Sequence, residues 1–168
     1  MKRLWFAVII IGFLIQGCSY YSFSGSLPSH IKTSAVPLFE NKTVEPGLVE
    51  DLTDIIEAAI LSDGNMKITA EAQADALVLG TITDFIDEAD SFSRDEQAKQ
   101  FKVYIYAEVK FLDVAKNEPL WEESRMEGWG LYDAPGAAGG EGKSRDDAIE
   151  EALSKLAKDI IDNTVAGW

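Results

Sequence analysis

The chain reads as a two-layer α+β sandwich, with about four to five mostly antiparallel strands packed by two helices on one face. Three patterns predict it. Phe101 to Phe111 alternates apolar and polar residues, the period of a half-buried strand. Leu48 to Ile60 and Ala148 to Val165 each carry an apolar stripe at helical spacing. Two such helices bury their stripes only against one shared sheet face, and 168 residues suffice for a single core.

The elements follow in order. Ile31 to Val36 is a short strand stopped by Pro37. Glu45-Pro46-Gly47 opens the first helix, with Pro near its first turn. Leu48, Val49, Leu52, Ile55, Ile56, Ala59 and Ile60 form its stripe, and Glu50, Asp51, Asp54 and Glu57 lie off it. Asp63-Gly64-Asn65 ends the helix and turns the chain. Met66 to Thr69 is a short strand. Ala76 to Ile86 is a longer one, whose Leu77-Val78-Leu79 predicts burial on both faces. Asp87 to Lys99 is polar enough for a long hairpin loop. In the next strand Phe101, Val103, Ile105, Ala107, Val109 and Phe111 face the core, while Lys102, Tyr104, Tyr106, Glu108 and Lys110 face away. Lys116-Asn117-Glu118-Pro119 turns the chain and Leu120 to Glu127 returns antiparallel. Ala134 to Gly142 is rich in Gly and Ala and expected to be mobile. Ser144 with Asp147 predicts a capping box for the last helix.

Composition removes several functions. The chain carries 15 Lys+Arg against 29 Asp+Glu, a net charge of −14, which argues against nucleic acid as a partner. One Cys leaves no disulfide framework, and one His leaves no multi-His metal site, so no cofactor and no catalytic residues are assigned. The segment from Gly136 to Lys143-Ser144 imitates a phosphate loop, but five residues separate Gly136 from Gly142 where the motif needs four. Asp87, Glu88, Asp90, Asp95 and Glu96 are dense, yet match no calcium loop and form no convergent pair for a hydrolase. His30 has no partner nearby in sequence and reads as a surface histidine. Asn41-Lys42-Thr43 satisfies a glycosylation pattern.

Tyr104 and Tyr106 stand out because they occupy the polar face of their strand. Aromatic rings there are either covered from within the domain or await a partner. Trp121 and Trp129 pose the same question on the return strand and beyond it. With both helices on one sheet face, the other has few obvious covers, so Tyr104, Tyr106 and Trp121 are candidate partner contacts.

The start of the chain has a different logic. Met1-Lys2-Arg3 is basic, and Leu4 to Ile15 gives twelve apolar or glycine residues, short of the roughly 20 that span a bilayer. The run ends at Leu14-Ile15-Gln16-Gly17-Cys18, which resembles a bacterial lipobox. That resemblance implies a signal peptide over residues 1–17, diacylglycerol on the Cys18 sulfur and usually an acyl group on its amino group. Several acyl chains anchor a protein stably where one does not. Residues 18–30 then form a lipidated tether and 31–168 a single domain. Ser19, where Asp would favour retention in the inner membrane, points to the outer membrane with the domain on the periplasmic side.

Cys18-Ser19-Tyr20-Tyr21-Ser22-Phe23-Ser24-Gly25-Ser26-Leu27-Pro28 resembles the C-G-Y-x-F-x-G-x-L-P start of the lipopolysaccharide-assembly lipoprotein family (LptE-like). Ile31 to Thr53, Asp75 to Phe85, Pro119 to Glu123 and the acidic final helix are similar to that family in the same order. The resemblance implies a sheet packed by two helices and a non-enzymatic lipoprotein that plugs and stabilises the β-barrel lipopolysaccharide translocon. Some relatives bind lipopolysaccharide directly. Here Lys99, Lys102 and Lys110 form the one basic cluster available for that, in a strongly acidic chain. A generic periplasm-facing lipoprotein serving another envelope complex is the rival reading, since one fold can serve other partners.

Overall fold

The computed structural model describes residues 27–92, 98–134 and 142–166. Cys18, the residues before it, most of the tether, Asp95, Glu96 and residues 135–141 of the Gly/Ala segment lie outside these. The elements are β1 (Thr33–Ala35), β2 (Glu40–Asn41), α1 (Leu48–Asp63), β3 (Lys67–Ile68), β4 (Ala76–Phe92), β5 (Ala98–Asp113), β6 (Glu118–Asp133) and α2 (Arg145–Ile161). The sheet runs β3-β1-β4-β5-β6, with β2 also paired to β4. β4, β5 and β6 form a long antiparallel meander. The short strands β1, β2 and β3 pair in parallel, and α1 supplies the crossover that parallel pairing requires. The expected sandwich is present, with the two-residue β2 as its addition.

The core lies between the helices and one face of the sheet. Leu52, Ile56 and Ile60 of α1 and Ala152, Leu153, Leu156 and Ile160 of α2 are buried against Val78, Ile82, Val103, Ile105 and Phe111. Gly64 ends α1 at φ 75°, a conformation that suits glycine because it has no Cβ. Ser144 and Asp147 form the predicted reciprocal capping box at the start of α2.

Three expectations about the strands need correction. Asp87 to Phe92 belongs to β4, not to a loop. Pairing across to β5 decides this: Asp87 stands opposite Val103, Glu88 opposite Lys102 and Ala89 opposite Phe101. Asp87 also gains partners, accepting from Tyr132 Oη and Arg145 Nε at 2.8 Å each. Leu77 and Leu79 are only half-buried, because among the described residues nothing comparable to the helices covers their face.

β6 likewise continues past Glu127 to Asp133. Its last stretch of alternation is Gly128, Trp129, Gly130, with the glycines opposite Ile105 and Val103 on the core face. A Cβ on Gly128 would lie 2.0 Å from the carbonyl oxygen of Ala152, and one on Gly130 2.0 Å from that of Ala148. Only glycine lets α2 approach so closely. Small residues on both sides therefore set the distance between the layers here.

Candidate partner-binding face

The sheet face away from the helices carries Lys102, Tyr104, Tyr106, Glu108 and Lys110 from β5. Register puts Ile86 and Trp129 on either side of Tyr104, and Asp84 and Glu127 on either side of Tyr106. Tyr104 and Tyr106, two residues apart on one strand, hold their rings parallel within 7° at 6.2 Å between centroids. Lys102 Nζ sits 4.5 Å from the Tyr104 ring centre and 4.4 Å from that of Trp129. Lys155, reaching from α2, contributes a second cation 3.1 Å from the Trp129 ring centre and donates to the Trp129 carbonyl at 2.9 Å. That bond also caps part of the free edge of β6.

Arg125 covers Tyr106, with its guanidinium carbon 3.8 Å from the ring centre. A β-bulge puts it there: Ala107 pairs with Met126 and Val109 with Glu123, so Ser124 and Arg125 together oppose Glu108. Tyr106 is consequently buried, at 8% exposure. Burial raises the pKa of its phenol, and a hydrogen bond with Glu127 raises it further against the opposing effect of Arg125. The face is thus an aromatic platform flanked by cations. Cation–π contacts of this kind contribute about 0.5–1 kcal/mol each at exposed sites. At the other end of the same face, Pro37, Leu38 and Leu79 join Lys110 and Glu122 around a cleft of about 250 Å³. Leu38 is 62% exposed.

The candidate residues separate in space. Tyr104 and Tyr106 share the platform. Trp121 does not: it pairs with Phe111, which places it on the helix-covered face, where it packs against the core. Its indole N–H is buried without an acceptor among the described residues. Lys99, Lys102 and Lys110 do not converge. Lys99 falls on the opposite face by strand alternation, and Lys102 and Lys110 are eight residues apart, about 26 Å along an extended strand. Arg125, Lys155 and Trp129 complete the platform instead. Of these, Trp129 is visible in the alternation Gly128-Trp129-Gly130, whereas Arg125 depends on the bulge and Lys155 on helix placement.

Two clusters fix the rest of the domain around this face. Arg145 pairs with both oxygens of Glu45 at 2.9 Å and with Asp87 at 2.8 Å, joining the start of α1, the start of α2 and β4. The Arg145 hydrogen bond holds the Glu45 carboxyl below its ordinary range. His30, for its part, has a distant partner that local sequence could not reveal. Its Nε2 lies 2.8 Å from Oδ2 of the fully buried Asp113. Burial pushes the Asp113 carboxyl up, but the backbone N–H of Lys116 and the His30 ring outweigh it and hold it low. Asp75 accepts from the backbone N–H groups of Lys32 and Thr33 and from the Thr33 hydroxyl, each at 2.9 Å. These donors lower the Asp75 pKa in turn. Together the two carboxylates pin the point where the chain enters the sheet. The Asn41-Lys42-Thr43 motif is a tight turn in which Asn41 accepts from Thr43 and donates to Glu45.

Among the described residues no cluster of His, Cys, Asp and Glu could hold a metal ion, and no helix is long and apolar enough to cross a membrane. The family model for lipopolysaccharide assembly (LptE) matches residues 31–164. The chain belongs to that family. As an LptE-family member it is a lipopolysaccharide-assembly lipoprotein, and the family is one of assembly proteins, not enzymes. No curated protein matches the chain in sequence. Among solved structures, protein XCC0632 from Xanthomonas campestris is similar at TM-score 0.61 and 11% identity, covering 84% of this chain and 87% of that one. A dodecamer of a PelC point variant from Paraburkholderia phytofirmans is similar at TM-score 0.52 and 13% identity, covering 84% and 95%. Uncharacterized lipoprotein B from Nitrosomonas europaea gives 0.50 and 12%, covering 85% and 91%. At these identities the likeness is one of fold.

Proposed function

We propose that this LptE-family lipoprotein is anchored through lipid on Cys18 to the periplasmic side of the outer membrane. There it seats in the β-barrel lipopolysaccharide translocon, plugging and stabilising it. Family membership supplies the process. The observation that carries the docking mode is the sheet face that neither helix covers, where the half-buried Tyr104 and Trp129 lie among Lys102, Arg125 and Lys155, beside Tyr106 buried under Arg125. Aromatic and arginine side chains are the residue types that most often anchor protein interfaces. The scatter of Lys99, Lys102 and Lys110 favours this role over capture of lipopolysaccharide phosphates, which calls for convergent cations. Depleting the protein from a Gram-negative cell tests the process, with reduced surface lipopolysaccharide expected and an unaltered level pointing to another envelope complex. Co-purification from solubilised outer membranes tests the partner: a large β-barrel should accompany the wild-type chain.

A further inference from the structure

The opposite side of the molecule carries a groove of about 490 Å³ between the N-terminal halves of α1 and α2, within the range of small-ligand and side-chain sites. Its floor is apolar: Leu48, Ile55, Ile149 and Leu153. Its rims are acidic, with Asp51 and Asp54 on α1 and Asp146 and Glu150 on α2. Among the described residues no Lys or Arg lines it.

The cations along α2 and just before it are engaged elsewhere. Arg145 is held by Glu45 and Asp87, Lys143 and Lys155 both by Glu151, and Lys158 by Asp162. The four rim carboxylates have no such partner among the described residues. They also do not converge on a point where one metal ion could bind. Carboxylates spread along two walls above an apolar floor match cations that are themselves spaced along a chain. Anionic lipid or nucleic acid is repelled by the same charges.

From this complementarity we propose that the groove docks a basic, amphipathic segment of a partner protein. Its apolar side chains would rest on the half-buried Ile55 and Ile149, above the buried Leu48 and Leu153, and its Lys or Arg side chains would lie along both rims. This surface is separate from the aromatic platform, so the proposal neither needs nor supports the barrel-docking reading.

The test uses the full-length lipoprotein in detergent and a fluorescently labelled Leu/Lys amphipathic peptide, followed by anisotropy, with a Leu/Glu peptide as the control. Only the Leu/Lys peptide should bind. The variant D51N/D54N/D146N/E150Q should weaken that binding by at least about tenfold, while a charge-matched variant away from the groove, E71Q/E118Q/E122Q/E123Q, should leave it within about twofold. Ile55→Ala with Ile149→Ala should weaken it without any change in charge, and Y104A/Y106A should not affect it. Thermal melts establish that each variant is folded. Equal weakening by the two charge-neutralising variants, or no binding of the Leu/Lys peptide to the wild-type chain, would overturn the proposal.

Discussion

The two faces of the sheet solve opposite problems. Under α2, Gly128 and Gly130 bring strand and helix backbones together so closely that no side chain fits between them. On the reverse, the same stretch of β6 presents Trp129, whose ring is held by two lysines from different elements. One face is fixed by steric exclusion and tolerates almost no change. The other is held by cations over rings, contacts that water weakens and a partner can replace. The difference teaches where to look for binding: the face whose contacts exchange readily.

Adding one methyl group at either glycine is the harshest way to probe that contrast. Gly130→Ala forces the Cβ into the carbonyl of Ala148, a backbone atom that cannot swing aside. Overpacking of this kind costs on the order of 3 kcal/mol. Urea unfolding should show the loss, whereas Ser124→Ala on the exposed edge should leave the midpoint unchanged. An undisturbed midpoint for Gly130→Ala would mean that α2 floats above the sheet.

Next in size are the contacts that attach α2 at its start. Ser144→Ala removes the capping box and should cost about 1 kcal/mol. Arg145→Gln breaks the Glu45 and Asp87 pairs. Because the Arg145 side chain is 37% exposed, solvent screens these pairs. The cost should be no more than about 1 kcal/mol and should shrink with added salt. A salt-independent loss would instead assign the effect to packing over Phe85, whose ring centre lies 5.1 Å from the Arg145 guanidinium carbon.

Titration sharpens the comparison further. Asp75 and Asp113 are both held below the ordinary aspartate value of 3.8. A depressed carboxylate contributes stability in full above its unfolded pKa, and the contribution is lost as the pH falls through the lower folded value. Urea midpoints should therefore fall with pH below about 4, and Asp75→Asn should flatten that acid limb. On the alkaline side, burial and then the hydrogen bond to Asp87 push Tyr132 from 10.0 up to about 12. A raised phenol stabilises the fold below its unfolded pKa and loses that effect as the pH climbs through the folded one. Ultraviolet difference titration should find one tyrosine ionising near 12. Asp87→Asn should lower that value only in part, since burial remains.

The parts of this architecture legible in the sequence are those with a local cause. Alternation places Tyr104 and Tyr106 on the outer face, apolar stripes place both helices, and Ser144 with Asp147 announces a cap. What escapes depends on groups far apart in the chain. Asp87 to Phe92 reads as a loop by composition, yet β5 pairs with it and Tyr132 and Arg145 satisfy Asp87. Trp121 and Tyr106 look alike as aromatics on neighbouring strands, but pairing with Phe111 sends Trp121 to the core. The three lysines form a cluster only by proximity in sequence, and strand geometry pulls them apart. The His30–Asp113 contact spans 83 residues, beyond the reach of any local pattern.

The most direct test of the proposed role is recovery of the β-barrel translocon with affinity-purified Y104A/Y106A chain from solubilised outer membranes, at protein levels matched to wild type and with thermal melts compared. Loss of most of the barrel from an otherwise folded variant is the expected result. Full recovery of the barrel with both rings removed would contradict docking through the bare face of the sheet.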